Sequence, residues 1–145
     1  MRVNYGPSFP RQLKGVTRRA IEIMRPAIEP LMDVVLFSAG AEADSAATAA
    51  SVSVQLAYRQ ANVTVLPLLT EAYEYDEDEQ VRVLVHEMSH ILTAAQAEIV
   101  SAFIERIEPN DGPARKLLIN MGTDAMERDT QAVARALLVA NGMKA

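Results

Sequence analysis

The sequence predicts an α+β fold, and two kinds of hydrophobic periodicity indicate it. Apolar residues recur at helical spacing in residues 12–28, 77–107 and 114–140, whereas residues 33–38 and 51–69 contain the short apolar and alternating runs typical of strands. A chain of 145 residues can bury one hydrophobic core. We therefore expect a single domain, residues 1–145, in which a small three-stranded sheet packs on an N-terminal helix, a central helix and a C-terminal helical region.

The first helix and the first strand are bounded by prolines and by small residues. The helix is predicted to begin near Pro10 and to end before Pro30, because proline is tolerated at a helix start and breaks a helix further along. Asp33–Ser38 is then a short apolar run typical of a buried strand. The residues from Ala39 to Ala50 are mostly small and predict a flexible loop.

The next two strands are predicted to form a hairpin. Apolar and polar residues alternate from Ser51 to Arg59, and the pattern continues over Asn62–Leu69 after a tight connection at residues 60–61. Pro67 lacks a backbone donor, so the second strand either ends there or lies at the sheet edge. An edge strand has unpaired backbone groups, and a peptide substrate can add to it as a further strand.

An acidic run, Glu71–Glu79, precedes the central helix. Carboxylates in a first helical turn are stabilised by the helix dipole and by its unpaired N–H groups, which explains most of this run. Calcium binding is the alternative interpretation. The run lacks the glycine and the terminal glutamate of an EF-hand loop, so capping is the interpretation we adopt.

Two long helical segments complete the chain. The central helix is predicted over Glu77–Ile107, with a bend or break at Ala94–Ala97 because the pattern exceeds the usual helix length. Asp111 is a possible N-cap for a final helical region over Ala114–Ala140. Gly122 lies inside that region and is expected to divide it in two.

Composition excludes several kinds of chemistry. The sequence contains no cysteine, which rules out disulfides, thiol catalysis and cysteine-ligated zinc.

The sequence shows neither a signal-like start nor an apolar run long enough to span a membrane, so we expect a cytoplasmic protein of the producing or host cell. Six basic residues lie among the first 28, and the five from Arg11 to Arg25 have no aromatic residue between them. We interpret them as the solvated face of the first helix, with a nucleic-acid surface as the alternative.

The pattern His-Glu-x-x-His at His86, Glu87 and His90 predicts a metal site. These are the only two histidines of the chain. Residues four apart on a helix lie on one face, so the two imidazoles can bind one metal ion, and zinc is the ion this pattern usually holds. The glutamate of the motif then acts as general base on a water molecule activated by the metal. The apolar surroundings of the motif favour this interpretation, because unpaired imidazoles and carboxylates are costly to bury.

On these residues the chain resembles the zincins, the superfamily of zinc metallopeptidases built on a small sheet and a His-Glu-x-x-His helix. It is also similar to compact zincin-like proteins carried by bacteriophages and prophages, in size, element order and motif. The resemblance implies a minimal zincin-like fold, a Zn²⁺ cofactor and a peptide or protein substrate. Thr93 and Gln96 stand where the metzincin branch has Gly and His, so that branch is excluded.

The remaining resemblance is to the gluzincin branch, which takes its third zinc ligand from a glutamate on a downstream helix. This implies Glu127 as the third ligand, with Asp124 as the first alternative and Asp129 or Glu98 after it. Gluzincins commonly place an aspartate four residues after that glutamate to orient a ligand histidine. The chain has Gln131 there, whose amide oxygen can still accept a hydrogen bond.

The expected function is therefore zinc-dependent hydrolysis of a peptide bond, with Glu87 as general base. Four residues are candidates for stabilising the oxyanion: Tyr58, Tyr73, Tyr75 and Arg128. The alternative is a non-catalytic zinc-binding regulatory or interaction protein, in which the metal position is closed to water. The sequence leaves the substrate and the oligomeric state open.

Overall fold

The computed structural model of the protein describes residues 1–41, 48–71 and 76–144, which form four strands and four α-helices. The strands are β1 (Arg2–Tyr5), β2 (Val34–Ala39), β3 (Ala50–Gln55) and β4 (Gln60–Val65). The helices are α1 (Lys14–Ile28), α2 (Pro67–Glu71), α3 (Glu77–Ile107) and α4 (Pro113–Ala140). The predicted α+β class is confirmed.

The strands form one mixed sheet in the order β1-β2-β4-β3. Strand β1 pairs in parallel with β2, which pairs in parallel with β4, and β3 is antiparallel to β4. The prediction of three strands was wrong, because β1 was missed. Its four residues are too few to show a periodicity, and the strand is held by parallel pairing with a segment about thirty residues away, from Arg2 opposite Val34 to Tyr5 opposite Phe37.

The predicted hairpin of β3 and β4 is confirmed, but its turn lies earlier than expected. Gln60 and Ala61 belong to β4, and the chain reverses through a 3-10 turn at Leu56–Tyr58 followed by Arg59 in the left-handed conformation, with φ of 52°. The Arg59 side chain donates to Asp33 Oδ1 at 3.0 Å. This contact anchors a backbone conformation that few non-glycine residues adopt.

Strand β4 ends at Val65, shortly before Pro67, and α2 begins at that proline. The expectation that Pro67 ends the strand is confirmed, and the alternative that this strand lies at the edge is wrong, because β4 lies between β2 and β3. The edge strand on this side is β3. The loop predicted at 39–50 falls mainly on residues 42–47, which lie outside the described parts of the chain.

Helix α3 begins at an N-cap, Asp76, whose carboxylate accepts from Glu79 N at 3.0 Å. The helix is continuous for 31 residues, so the break expected at Ala94–Ala97 is absent. The residues there are alanines and a glutamine, which favour helix, and nothing in the sequence interrupts it.

Helix α4 is also continuous, so the expected division at Gly122 was wrong. A methyl group on Gly122 would lie 3.0 Å from Val100 Cγ1, which means that this glycine lets α4 approach α3 closely. The N-cap is Gly112, without a side-chain cap, so the proposed cap at Asp111 was wrong as well.

The core lies between the sheet, α1 and the first half of α3. Helix α3 packs against α1, β3 and α4, and its buried apolar residues up to Ile91 face this core. Phe37 from β2 is completely buried and contacts the rings of Tyr5 and Phe9. The basic residues of α1 partly pair with carboxylates: Arg19 donates to Asp78 at 2.7 Å, and this contact holds the pKa of Asp78 below its usual value.

Candidate metal centre

Helices α3 and α4 bring together the three metal ligands expected from the sequence. His86 and His90 lie one turn apart on α3, with ring centroids 5.2 Å apart and ring planes nearly perpendicular. Glu127 reaches across from α4, with Oε1 2.8 Å from His86 Nε2 and Oε2 3.5 Å from His90 Nε2. One donor atom from each residue lies within 4.8 Å of the others.

These distances place the three side chains within reach of one metal ion. Zinc binds imidazole nitrogen and carboxylate oxygen at about 2.0–2.2 Å, so two ligand atoms at a tetrahedral angle are separated by roughly 3.3 Å. The separations of 2.8 Å to Glu127 Oε1 and 3.5 Å to Glu127 Oε2 are of that size, although they involve the two different oxygens of the carboxylate. Two imidazole nitrogens and one carboxylate oxygen are also a donor set that zinc accepts in catalytic sites.

A chain of hydroxyl groups orients His90. Thr130 Oγ1 lies 3.3 Å from His90 Nδ1 and 3.1 Å from Thr93 Oγ1, and Thr93 donates to the His90 carbonyl at 3.3 Å. If His90 Nδ1–H donates to Thr130, then Thr130 donates to Thr93, and every hydroxyl proton has an acceptor. In this tautomer the proton is on Nδ1 and the Nε2 lone pair faces Glu127, as metal binding requires.

The second histidine lacks such support. His86 Nδ1 is buried and has no hydrogen-bond partner among the described residues. Metal-ligating histidines usually donate this second N–H to a carboxylate, a carbonyl or water. Gln131, which takes the position of the gluzincin aspartate, lines the same cleft as His86, but no hydrogen bond joins the two side chains in the described structure.

Glu87 follows His86 and lines the cleft beside it. Burial raises the pKa of Glu87 to about 7, with His86 opposing the rise and the Glu127 carboxylate adding to it. Burial also lowers the pKa of His90, with the Glu127 carboxylate opposing this change. A metal cation between the histidines would favour the ionised form of Glu87 and lower its pKa.

The alternative third ligands do not converge with the histidines. Among the described residues, no group of three potential ligands contains Asp124, Asp129 or Glu98. Asp124 lies with Glu127, Arg128 and Gln131 along an adjoining groove on the outer side of α4. Glu127 is therefore the carboxylate on α4 that lies with the two histidines.

The metal centre opens into a cleft of about 760 Å³. One wall is α4, another is the first half of α3, and the chain that leads into the edge strand β3 contributes residues 48–50. Two arginines line the cleft. Arg82 is paired with Glu79 and with the Lys144 carbonyl, whereas Arg135 has no carboxylate within 4.0 Å among the described residues.

The four residues expected to stabilise the oxyanion do not lie together in the cleft. Tyr58 lies on the β3–β4 turn, is 72% exposed and does not line the cleft. Tyr73 and Tyr75 lie outside the described residues. Arg128 lies in the adjoining groove with Glu127. Arg135, which sequence reasoning missed, is a cationic residue that does line the cleft.

Thr93 and Thr130 were also missed as residues of the site. Their spacing in the sequence could have indicated this role. Thr93 follows His90 by three residues and Thr130 follows Glu127 by three, so each threonine shares a helix face with a predicted ligand. Buried threonines on two facing helices are candidates for the hydrogen bond that orients a histidine.

Comparison of the chain with protein-family models, with curated proteins and with solved structures gave no match. Within the described residues, no helix combines the length and the apolar character needed to cross a bilayer.

Proposed function

We propose that the protein is a zinc-dependent metallopeptidase with a gluzincin-like arrangement of ligands on a minimal zincin-like fold. The observation that carries the proposal is the convergence of His86 Nε2, His90 Nε2 and the Glu127 carboxylate, with one ligand atom from each residue within 4.8 Å of the others. Glu87 lies beside this centre in an open cleft. Three protein ligands with an open fourth position are the arrangement of a catalytic zinc rather than a structural one.

Zinc supplies Lewis acidity, which polarises a carbonyl oxygen and makes water acidic enough to attack near neutral pH. The residues of the chain supply the proton transfers. Glu87 takes the proton of the attacking water and passes it to the leaving amine. Arg135 lines the same cleft and is available to the negative charge that develops on the substrate.

Strand β3 offers a way to hold a peptide. It is the last strand of the sheet on its side, and its first residue, Ala50, lines the cleft. A peptide that adds to β3 as a further strand gains main-chain hydrogen bonds and is led towards the metal centre. The side chains of the cleft then act on a peptide that is already extended and aligned.

A second candidate function is a zinc-binding protein that acts through a partner and does not catalyse hydrolysis. The buried Nδ1 of His86 has no partner in the described parts of the chain, and this favours the second candidate, because a ligand without outer support binds metal more weakly and is less well oriented. The two candidates differ in what Glu87 does. It is required for turnover in the first and dispensable in the second.

Metal content tests the site. We expect near-stoichiometric zinc in the wild-type protein and its loss in His86→Ala and in Glu127→Ala, measured by mass spectrometry after dialysis. Asp124→Ala is the matched control, since it removes a carboxylate one turn away on the same helix and should retain zinc. Absence of zinc from the wild type, or its loss in Asp124→Ala alone, would contradict the ligand assignment.

Hydrolysis is tested separately with a quenched peptide library. Glu87→Gln should keep zinc and lose at least about 100-fold in turnover, because it removes the general base and preserves the shape of the side chain. Zinc retained with no cleavage by the wild type would favour the binding protein. Zinc retained with full cleavage by Glu87→Gln would remove Glu87 from the mechanism.

A further inference from the structure

The outer halves of α3 and α4 extend beyond the core as an antiparallel pair, which we call the arm (residues 94–125). Successive contacts join Thr93 to Thr130, Val100 to the backbone at Gly122, and Glu105 to Arg115. Ile104 is the one buried residue of α3 after Thr93, and α4 buries no residue before Thr130. The arm therefore has little of its surface covered by the rest of the described chain.

Large apolar side chains on the arm are exposed. On α3 they are Ile99, Phe103 and Ile107, with 69%, 61% and 51% of their surface accessible. On α4 they are Leu117 and Met121, each 59% accessible, and Ile119, which is 45% accessible and lies on the opposite side of the helix. The three α3 residues repeat every four positions, as do Leu117 and Met121, so each of these two sets forms one row along its helix.

The two rows lie on the same side of the arm. Ile104 on α3 and Gly122 on α4 mark the line where the helices touch. Successive residues of an α-helix are about 100° apart around its axis. Viewed along the axis of its own helix, the centre of each row lies about 100° from that line, and the direction of rotation is the same for both helices. In an antiparallel pair, equal rotations in the same sense bring both rows to one side. We call this surface the arm face.

Charged side chains are separated from the arm face. The same angular count places no acidic or basic residue between the two rows. The charges of the arm lie elsewhere and are partly paired, as in the contacts of Arg115 with Glu105 and Asp111. The arm thus has one charged side that suits water and one apolar side without charge, which is the pattern of a helix pair covered by another apolar surface.

We propose that a second copy of this chain covers the arm face, so that two arms pack as a four-helix bundle around a two-fold axis. Side chains of this size, about 60% exposed, leave roughly 100 Å² each, or on the order of 1,000 Å² for two copies. When the residues at the rim are added, the buried area approaches the range of roughly 1,200–2,000 Å² that stable interfaces bury. A second arm matches the first in length and in its absence of charge, and a two-fold pairing closes without exposing a further face. The proposal is independent of the metal centre.

The mass of the full chain in solution tests the proposal. We expect sedimentation equilibrium over a micromolar concentration series to give twice the chain mass of 15.8 kDa. Phe103→Asp should shift the protein to the monomer. Val139→Asp is the matched control: Val139 is an apolar residue of α4, 62% exposed and outside the arm, and its replacement should leave the dimer intact. Circular dichroism should show the same helix content in all three proteins.

A second measurement covers the case in which Phe103→Asp fails to fold. The chain has no cysteine, so a single introduced thiol reports contact between copies. Met121→Cys should form a disulfide-linked dimer under mild oxidation, and Val139→Cys should not. A wild-type chain that sediments as a monomer overturns the proposal, whether or not the arm face then binds lipid vesicles or another protein. A dimer that survives Phe103→Asp and is not cross-linked through Met121→Cys overturns it as well.

Discussion

The hydroxyl of Thr130 is the part of the metal centre whose role is most sharply testable. Thr130 is completely buried, and its Oγ1 lies 3.3 Å from His90 Nδ1. Thr130→Val keeps the shape of the side chain and removes the hydroxyl. When zinc occupies His90 Nε2, the proton must be on Nδ1, and in the variant that N–H loses its hydroxyl partner.

The expected cost follows from the loss of that hydrogen bond. Loss of a hydrogen bond that orients a metal ligand typically lowers metal affinity roughly 10–100-fold. In the metal-free protein, His90 can instead carry its proton on Nε2, which faces Glu127 Oε2 at 3.5 Å. Most of the cost should therefore appear in zinc affinity and little in the stability of the metal-free protein.

The assay is competition between the protein and a chromophoric chelator for zinc, combined with thermal unfolding in the presence of EDTA. Thr130→Ser keeps a hydroxyl and should bind zinc nearly as tightly as the wild type. Thr123→Val removes a hydroxyl from an exposed position of the same helix and serves as the control. A folded Thr130→Val protein with unchanged zinc affinity would refute the hydroxyl chain as the device that orients His90.

Three further predictions concern the metal and the packing around it. Zinc at 100 times its Kd should stabilise the wild type by about 2.7 kcal/mol, which corresponds to a rise in Tm of roughly 5–10 °C. The Tm of His86→Ala should not change, and an equal rise in both proteins would place the metal elsewhere. Gly122→Leu should lower the free energy of unfolding in urea by about 1–3 kcal/mol, because the new Cβ would contact Val100. Adding Val100→Ala should restore part of this stability, and no restoration would mean that this contact is not the cause. Phe37→Ala should cost about 3–5 kcal/mol, and Tyr58→Ala, at an exposed position, less than about 0.5; similar costs would contradict the assigned core.

Helical periodicity predicted the two long helices and the first helix because it is repeated many times in each. Strand β1 and helix α2 could not be found in this way. Each has only four or five residues, and β1 exists because β2 offers a parallel partner. The turn before β4 was misplaced since Arg59 adopts a left-handed conformation that its own contact with Asp33 supports. These features depend on contacts between residues that are distant in the sequence, and a local sequence pattern does not predict such contacts.

At the metal centre, the motif residues were readable because their chemistry is specific and their spacing is fixed by one helix. Glu127 required a second helix and came from the resemblance to gluzincins. The hydroxyl chain through Thr93 and Thr130 was not recognised, because threonine has many ordinary roles in helices and only the facing of α3 and α4 distinguishes these two. Residues that support a ligand are thus harder to predict than the ligand itself.

The register of α3 against α4 links these observations. His86 and His90 come from one helix and Glu127 from the other, so a shift along the helix axis of one residue, about 1.5 Å, would disrupt separations of 2.8 and 3.5 Å. Two contacts fix this register. The Thr93–Thr130 hydrogen bond lies beside the ligands, and the close approach of Gly122 to Val100 lies about two turns away along the pair. The proposed metal centre therefore depends on packing in the arm, and a substitution at Gly122 should lower zinc affinity as well as stability although it touches no ligand.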